Sequence, residues 1–282
     1  MTKAIIYGGQ GNIQLKHLYQ MMKTKKGQKL LMELEKCDQE SYVLMQKILV
    51  KKVDLNDIHA AMLSNFLYNE WLTNYEEIYP NIIFSAHSAG IFNVLLASKS
   101  AEFKNIIWFI KKRSQLIKEL GRTEELWLLM TENLGMFYQN VLEPSSEKVK
   151  LAIVTNETSG VVAMKEEDVR FLDDKANSEG YLYKIKELGV KAPYHTNFLN
   201  DSLKRYEVLV KKLNIVKNDS YNYIFHCEDL SDELIYQWDN VFNWKGILEK
   251  VVENSREIID LTPNKFITKQ LQKMKKREKE NG

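Results

Sequence analysis

Ser88 is the side chain whose neighbours best equip it for chemistry. It stands in Ala86-His87-Ser88-Ala89-Gly90, after the apolar run Ile82-Ile83-Phe84 and before the helical run Ile91 to Leu96. A strand, a sharp turn carrying a serine and then a helix lifts the hydroxyl above the sheet edge. The same turn points the following backbone N–H groups at whatever binds there. A serine so placed acts as a nucleophile that holds an intermediate covalently. Glycine on both flanks is the usual form of this turn, and Ala86 departs from it. The segment also reads as a plain serine N-cap; the rest of the chain decides against that.

A nucleophilic serine needs a base. Of five histidines, His195 ends the loop Val190 to His195, which Pro193 stiffens, and imidazole titrates in the range useful to a general base. Taken alone, a loop histidine reads as a surface residue. His17, His59 and His226 fall in expected helices or strand ends, and His87 is expected to face away from Ser88 and pack the turn. Arg113 lies on an expected helix near apolar Ile110 and Leu116, unlike a solvated arginine. Cys37 and Cys227 have neither CxxC nor Cys/His spacing, which argues against a disulfide framework and a zinc site and suits a reducing cytoplasm. Nothing in the sequence indicates a bound metal, nucleotide or redox cofactor.

The elements that must position these residues alternate between strand and helix, the pattern of an α/β fold. Ala4 to Tyr7 reads as a short buried strand ended by Gly8-Gly9-Gln10-Gly11, and His17 to Tyr79 as successive helices closed by Pro80. Within it, Ile58 to Trp71 carries Met62, Phe66 and Leu67 at amphipathic helical spacing. Another helix spans Lys104 to Leu120. The middle of the chain then reads β-α-β-β-α-β: strands at 127–130, 149–155, 160–164 and 181–185, with helices at 132–141 and 166–176. That order is ferredoxin-like and predicts a small subdomain, 124–190, inserted in an α/β-hydrolase-like catalytic domain of residues 1–123 and 191–282 with a parallel sheet. A helix at 198–213, a strand at 223–225, helices at 230–239 and 244–253 and a strand at 258–261 complete it. With 282 residues, 44% hydrophobic, 28% charged and a formal charge of +2, the composition is that of a soluble enzyme. It points to neither nucleic acid nor membrane.

With its motifs in order, the chain resembles the malonyl-CoA:acyl carrier protein transacylases and the acyltransferases of polyketide synthases, over essentially its whole length. The motifs are the GQG turn Tyr7-Gly8-Gly9-Gln10-Gly11, the elbow Ala86-His87-Ser88-Ala89-Gly90, and Arg113 on the helix that follows. They continue with Asn156-Glu157-Thr158-Ser159-Gly160-Val161-Val162, the loop Ala192-Pro193-Tyr194-His195, and Asn243-Trp244. The resemblance implies a Ser88–His195 dyad and an oxyanion held by the backbone N–H groups of Gln10 and Ala89, with Gly9 and Gly11 letting that backbone approach the substrate. It implies that a carbonyl orients the histidine, at the matched position Asn243, with Asp168 as the weaker candidate. Arg113 would bind a malonyl carboxylate through paired charge-assisted hydrogen bonds. Tyr194 would gate the acyl α-carbon, leaning toward unbranched malonyl.

The expected activity is malonyl transfer from malonyl-CoA, a CoA thioester, to the phosphopantetheine thiol of an acyl carrier protein, free or within a polyketide synthase. The expected enzyme is a cytoplasmic monomer without metal or bound cofactor. Departures from the pattern include Ile91 after the elbow glycine, Gly8 before the GQG turn, Ile58-His59-Ala60-Ala61 and Thr262-Pro263-Asn264. They suggest a specialised pathway and leave room for an unusual extender unit or for a hydrolase that clears carrier-protein thioesters with the same dyad. A non-catalytic carrier-protein binding module is disfavoured by the intact Ser88 and His195. The segment Lys265 to Glu280, with seven Lys/Arg against two Glu, could steer an acidic carrier protein.

Overall fold

The computed structural model describes residues 2–11 and 13–281, with side chains as far as Lys273. It begins with β1 (Lys3–Tyr7), buried from Ala4 onward. Four helices follow: α1 (Leu15–Met22), α2 (Lys25–Cys37), α3 (Gln39–Leu49) and α4 (Ile58–Leu72). Thr24, Asp38 and Asp57 start the last three, each accepting a first-turn backbone N–H with its side-chain oxygen. Strand β2 (Ile83–Ala86) leads through a single 3₁₀ turn, Ser88–Gly90, into α5 (Ile91–Ala97), and α6 (Phe103–Leu120) follows.

The middle of the chain is β3 (Glu125–Thr131), α7 (Leu134–Phe137), β4 (Lys150–Asn156), β5 (Ser159–Met164), α8 (Val169–Ser178) and β6 (Tyr183–Val190). Then come α9 (Leu203–Leu213), β7 (Asn222–Tyr223), α10 (Leu230–Asp239), β8 (Phe242–Asn243), α11 (Trp244–Asn254), β9 (Glu257–Leu261) and α12 (Phe266–Asn281).

Two sheets organise these elements. The first, in the order β7-β2-β1-β9, is parallel throughout. Its central strands β1 and β2 are buried because helices cover both faces. Strands β1 and β2 are neighbours with Tyr7 opposite Ala86, so the glycine turn and the serine turn leave the sheet side by side. The second sheet runs β6-β3-β5-β4-β8. Among its first four strands every neighbouring pair is antiparallel, in the strand order of a β-α-β-β-α-β unit.

Alternation along the second sheet serves two purposes. Leu129, Val162 and Met164 turn to one face and form a separate core with Phe137, Val141, Leu172 and Ala176 from the covering helices. Leu126, Leu128, Met130, Ile153, Thr155, Ser159 and Val161 turn to the other and wall a cavity that reaches Ser88. The small sheet thus roofs the site that the large sheet floors.

Two expectations are revised, and a third lies partly outside the described residues. Helix α4 is not an amphipathic surface helix, because every residue from Ala60 to Glu70 is buried. It runs through the core, and its polar residues Asn65, Asn69 and Glu70 face internal partners. The small sheet is not closed within 124–190, since β8 adds to β4 in parallel, with Ile153 opposite Phe242. Of the basic segment Lys265 to Glu280, the side chains after Lys273 lie outside the described residues. No helix among the described residues is long and apolar enough to cross a membrane.

Candidate active site

The elbow is built from close backbone packing. His87 N–H donates to the Tyr7 carbonyl at 3.0 Å, tying the serine turn to the end of β1. Gly90 is pressed against the same strand, where a Cβ would stand 2.7 Å from the Tyr7 carbonyl oxygen and 2.9 Å from that of Gly8. Ser88 has φ 47°, a left-handed conformation that non-glycine residues seldom adopt and that a nucleophile elbow requires. His195 shares it, at φ 63°. Both strained residues point their side chains at each other, with Ser88 Oγ 2.7 Å from His195 Nε2.

Aromatic rings and backbone carbonyls hold His195. Its ring lies 5.2 Å from that of Phe242, and its N–H donates to the Trp238 carbonyl. Burial, and after it the Arg113 and His87 charges, keep its pKa well below the ordinary imidazole value. The Gln237 backbone carbonyl acts in the opposite direction. That carbonyl and Trp238's come from the last turn of α10, where helix carbonyls lack intrahelical partners. Nδ1 is buried and makes no bond of full hydrogen-bonding geometry. For Nε2 to accept the serine proton, Nδ1 must carry the imidazole hydrogen, and the Gln237 carbonyl is the acceptor that favours this tautomer.

Arg113 is 5% exposed, and no carboxylate pairs with it among the described residues. Nη1 contacts Met62 Sδ at 2.9 Å and Nε has no partner. The guanidinium lies 4.3 Å from the Tyr194 ring centroid, 5.6 Å from Trp238's and 5.7 Å from Phe92's. Aromatic faces solvate a buried cation only in part, which leaves Nε as an unused donor. Tyr194 stands between it and the cavity at Ser88.

That cavity, about 350 Å³, is lined by Ser88, His195, Tyr194, Gln10, Gly11 and the small sheet's apolar face. Gly9 lies behind, where a Cβ would meet His87 Nδ1 at 2.5 Å, and Ala89 is buried after Ser88. His87 packs among Phe242, Trp244 and Phe266, and its burial pushes its pKa down to about 4. Asn243 does not orient His195. Its side chain caps α11 by accepting from Gly246 N–H, and its own N–H donates to His226. Asp168 is also engaged elsewhere, near Lys148 at 3.5 Å.

Several site residues carry no sequence motif. Asn65 and Asn69 on α4 both donate to the Gly8 carbonyl, at 3.1 and 2.8 Å, and so fix the loop that carries Gln10. Gln237 acts through its backbone, which any residue type supplies. Phe266 and Lys273 reach the cavity from α12, whose basic composition reads as a solvated tail. Among the described residues no three His, Cys, Asp or Glu side chains group so as to hold a metal ion.

No protein-family model matches the chain. A malonyl CoA-acyl carrier protein transacylase of Buchnera aphidicola is 21% identical over 236 residues, covering 79% of this chain and 75% of that protein. A malonyl-transacylase solved in complex with its type II polyketide synthase acyl-carrier protein superposes with a TM-score of 0.82 at 15% identity, over 96% of this chain and 92% of that one. An acyl-carrier-protein S-malonyltransferase of Burkholderia pseudomallei gives the same TM-score, identity and coverage. The chain is therefore similar in sequence to a malonyl-CoA:acyl carrier protein transacylase and has the fold of that family.

Proposed function

We propose that this protein is an acyltransferase that moves a malonyl group from malonyl-CoA to the phosphopantetheine thiol of an acyl carrier protein. One observation carries the reading: a serine–histidine pair at 2.7 Å lines a cavity with Tyr194, whose ring covers a buried guanidinium that pairs with no carboxylate among the described residues. The dyad supplies acyl transfer, and the guanidinium supplies a reason for the acyl group to end in a carboxylate.

His195 Nε2 takes the Ser88 proton as Oγ attacks the thioester carbonyl. The oxyanion is stabilised by the N–H groups of Gln10 and Ala89. Collapse expels the CoA thiolate, which takes the proton from His195 and leaves malonyl-Ser88. The carrier-protein thiol then gives its proton to His195 and attacks the ester carbonyl, and His195 returns that proton to Ser88 Oγ as the C–O bond breaks and the serine is freed. A malonyl carboxylate reaches Arg113 once Tyr194 yields its place, exchanging an aromatic face for two charge-assisted hydrogen bonds. Leaving a buried charge unpaired costs roughly 3–5 kcal/mol, so an acetyl group, which has no carboxylate, is disfavoured by about a hundredfold or more.

Intact-protein mass spectrometry after brief mixing with malonyl-CoA, acetyl-CoA or methylmalonyl-CoA tests this. A malonyl adduct should form, map to Ser88, pass to a holo carrier protein and be absent from Ser88→Ala. An adduct that persists in Ser88→Ala refutes the nucleophile. Release of acyl groups to water from a loaded carrier protein, without loading from any CoA thioester, refutes the transferase.

A further inference from the structure

Glu233 on α10 is fully buried yet lies outside the cavity, and the reaction above does not use it. Its carboxylate collects four donors. Oε2 accepts from the backbone N–H groups of His226 and Cys227 at 3.0 and 2.9 Å. Oε1 accepts from His226 Nδ1 at 3.1 Å and Gln237 Nε2 at 2.8 Å. The far nitrogen of the same imidazole, Nε2, accepts from Asn243 N–H at 2.9 Å. This fixes His226 as the tautomer with its hydrogen on Nδ1. Its ring stacks on Tyr236 and meets Phe242 edge-on, at 4.6 and 5.0 Å between centroids.

Both ends of this network terminate on His195. Through Gln237, Glu233 holds the last turn of α10, whose Trp238 carbonyl accepts from the His195 backbone N–H at 3.3 Å and whose Gln237 carbonyl raises the basicity of the His195 ring. Through His226, it holds β8, whose Phe242 ring lies against the His195 imidazole. A left-handed histidine has no regular secondary structure of its own to fix its ring, so its orientation comes from these two supports. A fully buried carboxylate engaged by four donors is a stiff joint between them.

We propose that Glu233 is a positioning residue for His195, acting through the Gln237 side chain and the His226 ring. The inference rests on the Ser88–His195 dyad of the proposed function and does not depend on the acyl group. In Glu233→Gln, one carboxylate acceptor becomes an amide donor that must face either the two backbone N–H groups or the His226 and Gln237 donors. The joint then opens with little change in side-chain volume.

The test is covalent inactivation of Ser88 by phenylmethylsulfonyl fluoride, followed against pH. Oγ bonds to sulfur, fluoride leaves and His195 takes the proton, so the rate reports the dyad whatever the natural acyl group is. With far-UV circular dichroism unchanged, Glu233→Gln should lower the rate about ten- to a hundredfold, part of the roughly 10²–10⁴ that general-base catalysis supplies. Withdrawing the Gln237 carbonyl removes an influence that favours the protonated imidazole, so the acid limb should also move to lower pH. Gln237→Leu, which breaks one bond of the joint, should shift both quantities in the same directions by less, and it serves if Glu233→Gln does not fold. A variant that melts earlier but keeps the wild-type rate and acid limb overturns the proposal. Wild-type Ser88 that resists the reagent overturns the dyad itself, whereas failure of malonyl loading alone leaves this result standing.

Discussion

At the scale of single residues, one cation acts on two partners. Arg113, the proposed partner of the acyl carboxylate, also holds down the basicity of His195, after burial and ahead of His87. A positive charge near an imidazole disfavours its protonation, so His195 stays neutral, and competent as a base, to a pH well below its ordinary value. Arg113→Leu should therefore raise the His195 pKa and carry the acid limb of Ser88 acylation to higher pH. Acetyl-CoA is the substrate for this measurement, since it has no carboxylate whose loss could be mistaken for the shift. An acid limb that does not move would show that burial alone sets the basicity. Ser88, His195 and Arg113 were singled out by the motifs in which they stand: a serine in a strand–turn–helix, a histidine in a loop that alone would read as surface, and an arginine among apolar neighbours. Gln237 was not legible, because its contribution comes from a backbone carbonyl and a side chain two bonds removed from the chemistry.

At the scale of elements, the site depends on how closely β1 and the serine turn approach. Gly90 is where that approach is tightest, and an added Cβ would meet two carbonyl oxygens at the end of β1. Those carbonyls belong to the residues just before Gln10, so relief of the clash moves one side of the oxyanion site away from the other. Gly90→Ala should cost about 1–3 kcal/mol of stability and slow Ser88 loading strongly. Gly135→Ala, on exposed α7 with its nearest neighbour at an ordinary 3.4 Å, should load normally and gain up to about 1 kcal/mol in helix propensity. Thermal melts and loading rates of the two variants check this, and equal loading rates would remove the close approach from the explanation. The strand–helix order of both sheets was legible, since short apolar runs bounded by turn residues alternate with longer helical stretches. Strand β8 was not, because two residues have no periodicity. Asn243 was misassigned for a related reason: its place beside Trp244 matches a motif, but its amide is spent as the cap of α11. Helix α4 misled because buried asparagines at helical spacing mimic a polar face, although Asn65 and Asn69 bind the Gly8 carbonyl.

At the scale of the whole molecule, a formal charge of +2 predicts little pH dependence, yet buried groups impose some in opposite directions. His87, held down to about 4, and His195 are neutral when folded, whereas the unfolded chain takes up those protons below the ordinary imidazole pKa of 6.5. Their burial therefore removes stability as the pH falls below 6.5. Glu70 works the other way. Burial in the core raises it from 4.5 to about 7, against the opposing effects of the Tyr75 hydroxyl and the Lys26 charge. Between those pH values the folded chain keeps a proton that the unfolded chain has released, so stability falls as the pH rises through this window. The full effect above pH 7 is on the order of 3 kcal/mol, from about 1.4 kcal/mol for each pKa unit. Glu70→Gln keeps an acceptor for the Tyr75 hydroxyl, which donates to Glu70 at 2.9 Å, and deletes the charge. Its melting temperature should match wild type near pH 4.5 and exceed it by several degrees at pH 8, with the gap opening across the Glu70 window. A variant less stable than wild type at pH 8 would mean that Lys26 compensates the ionised carboxylate, and the neutral-pH strain would then have to be sought elsewhere in the core.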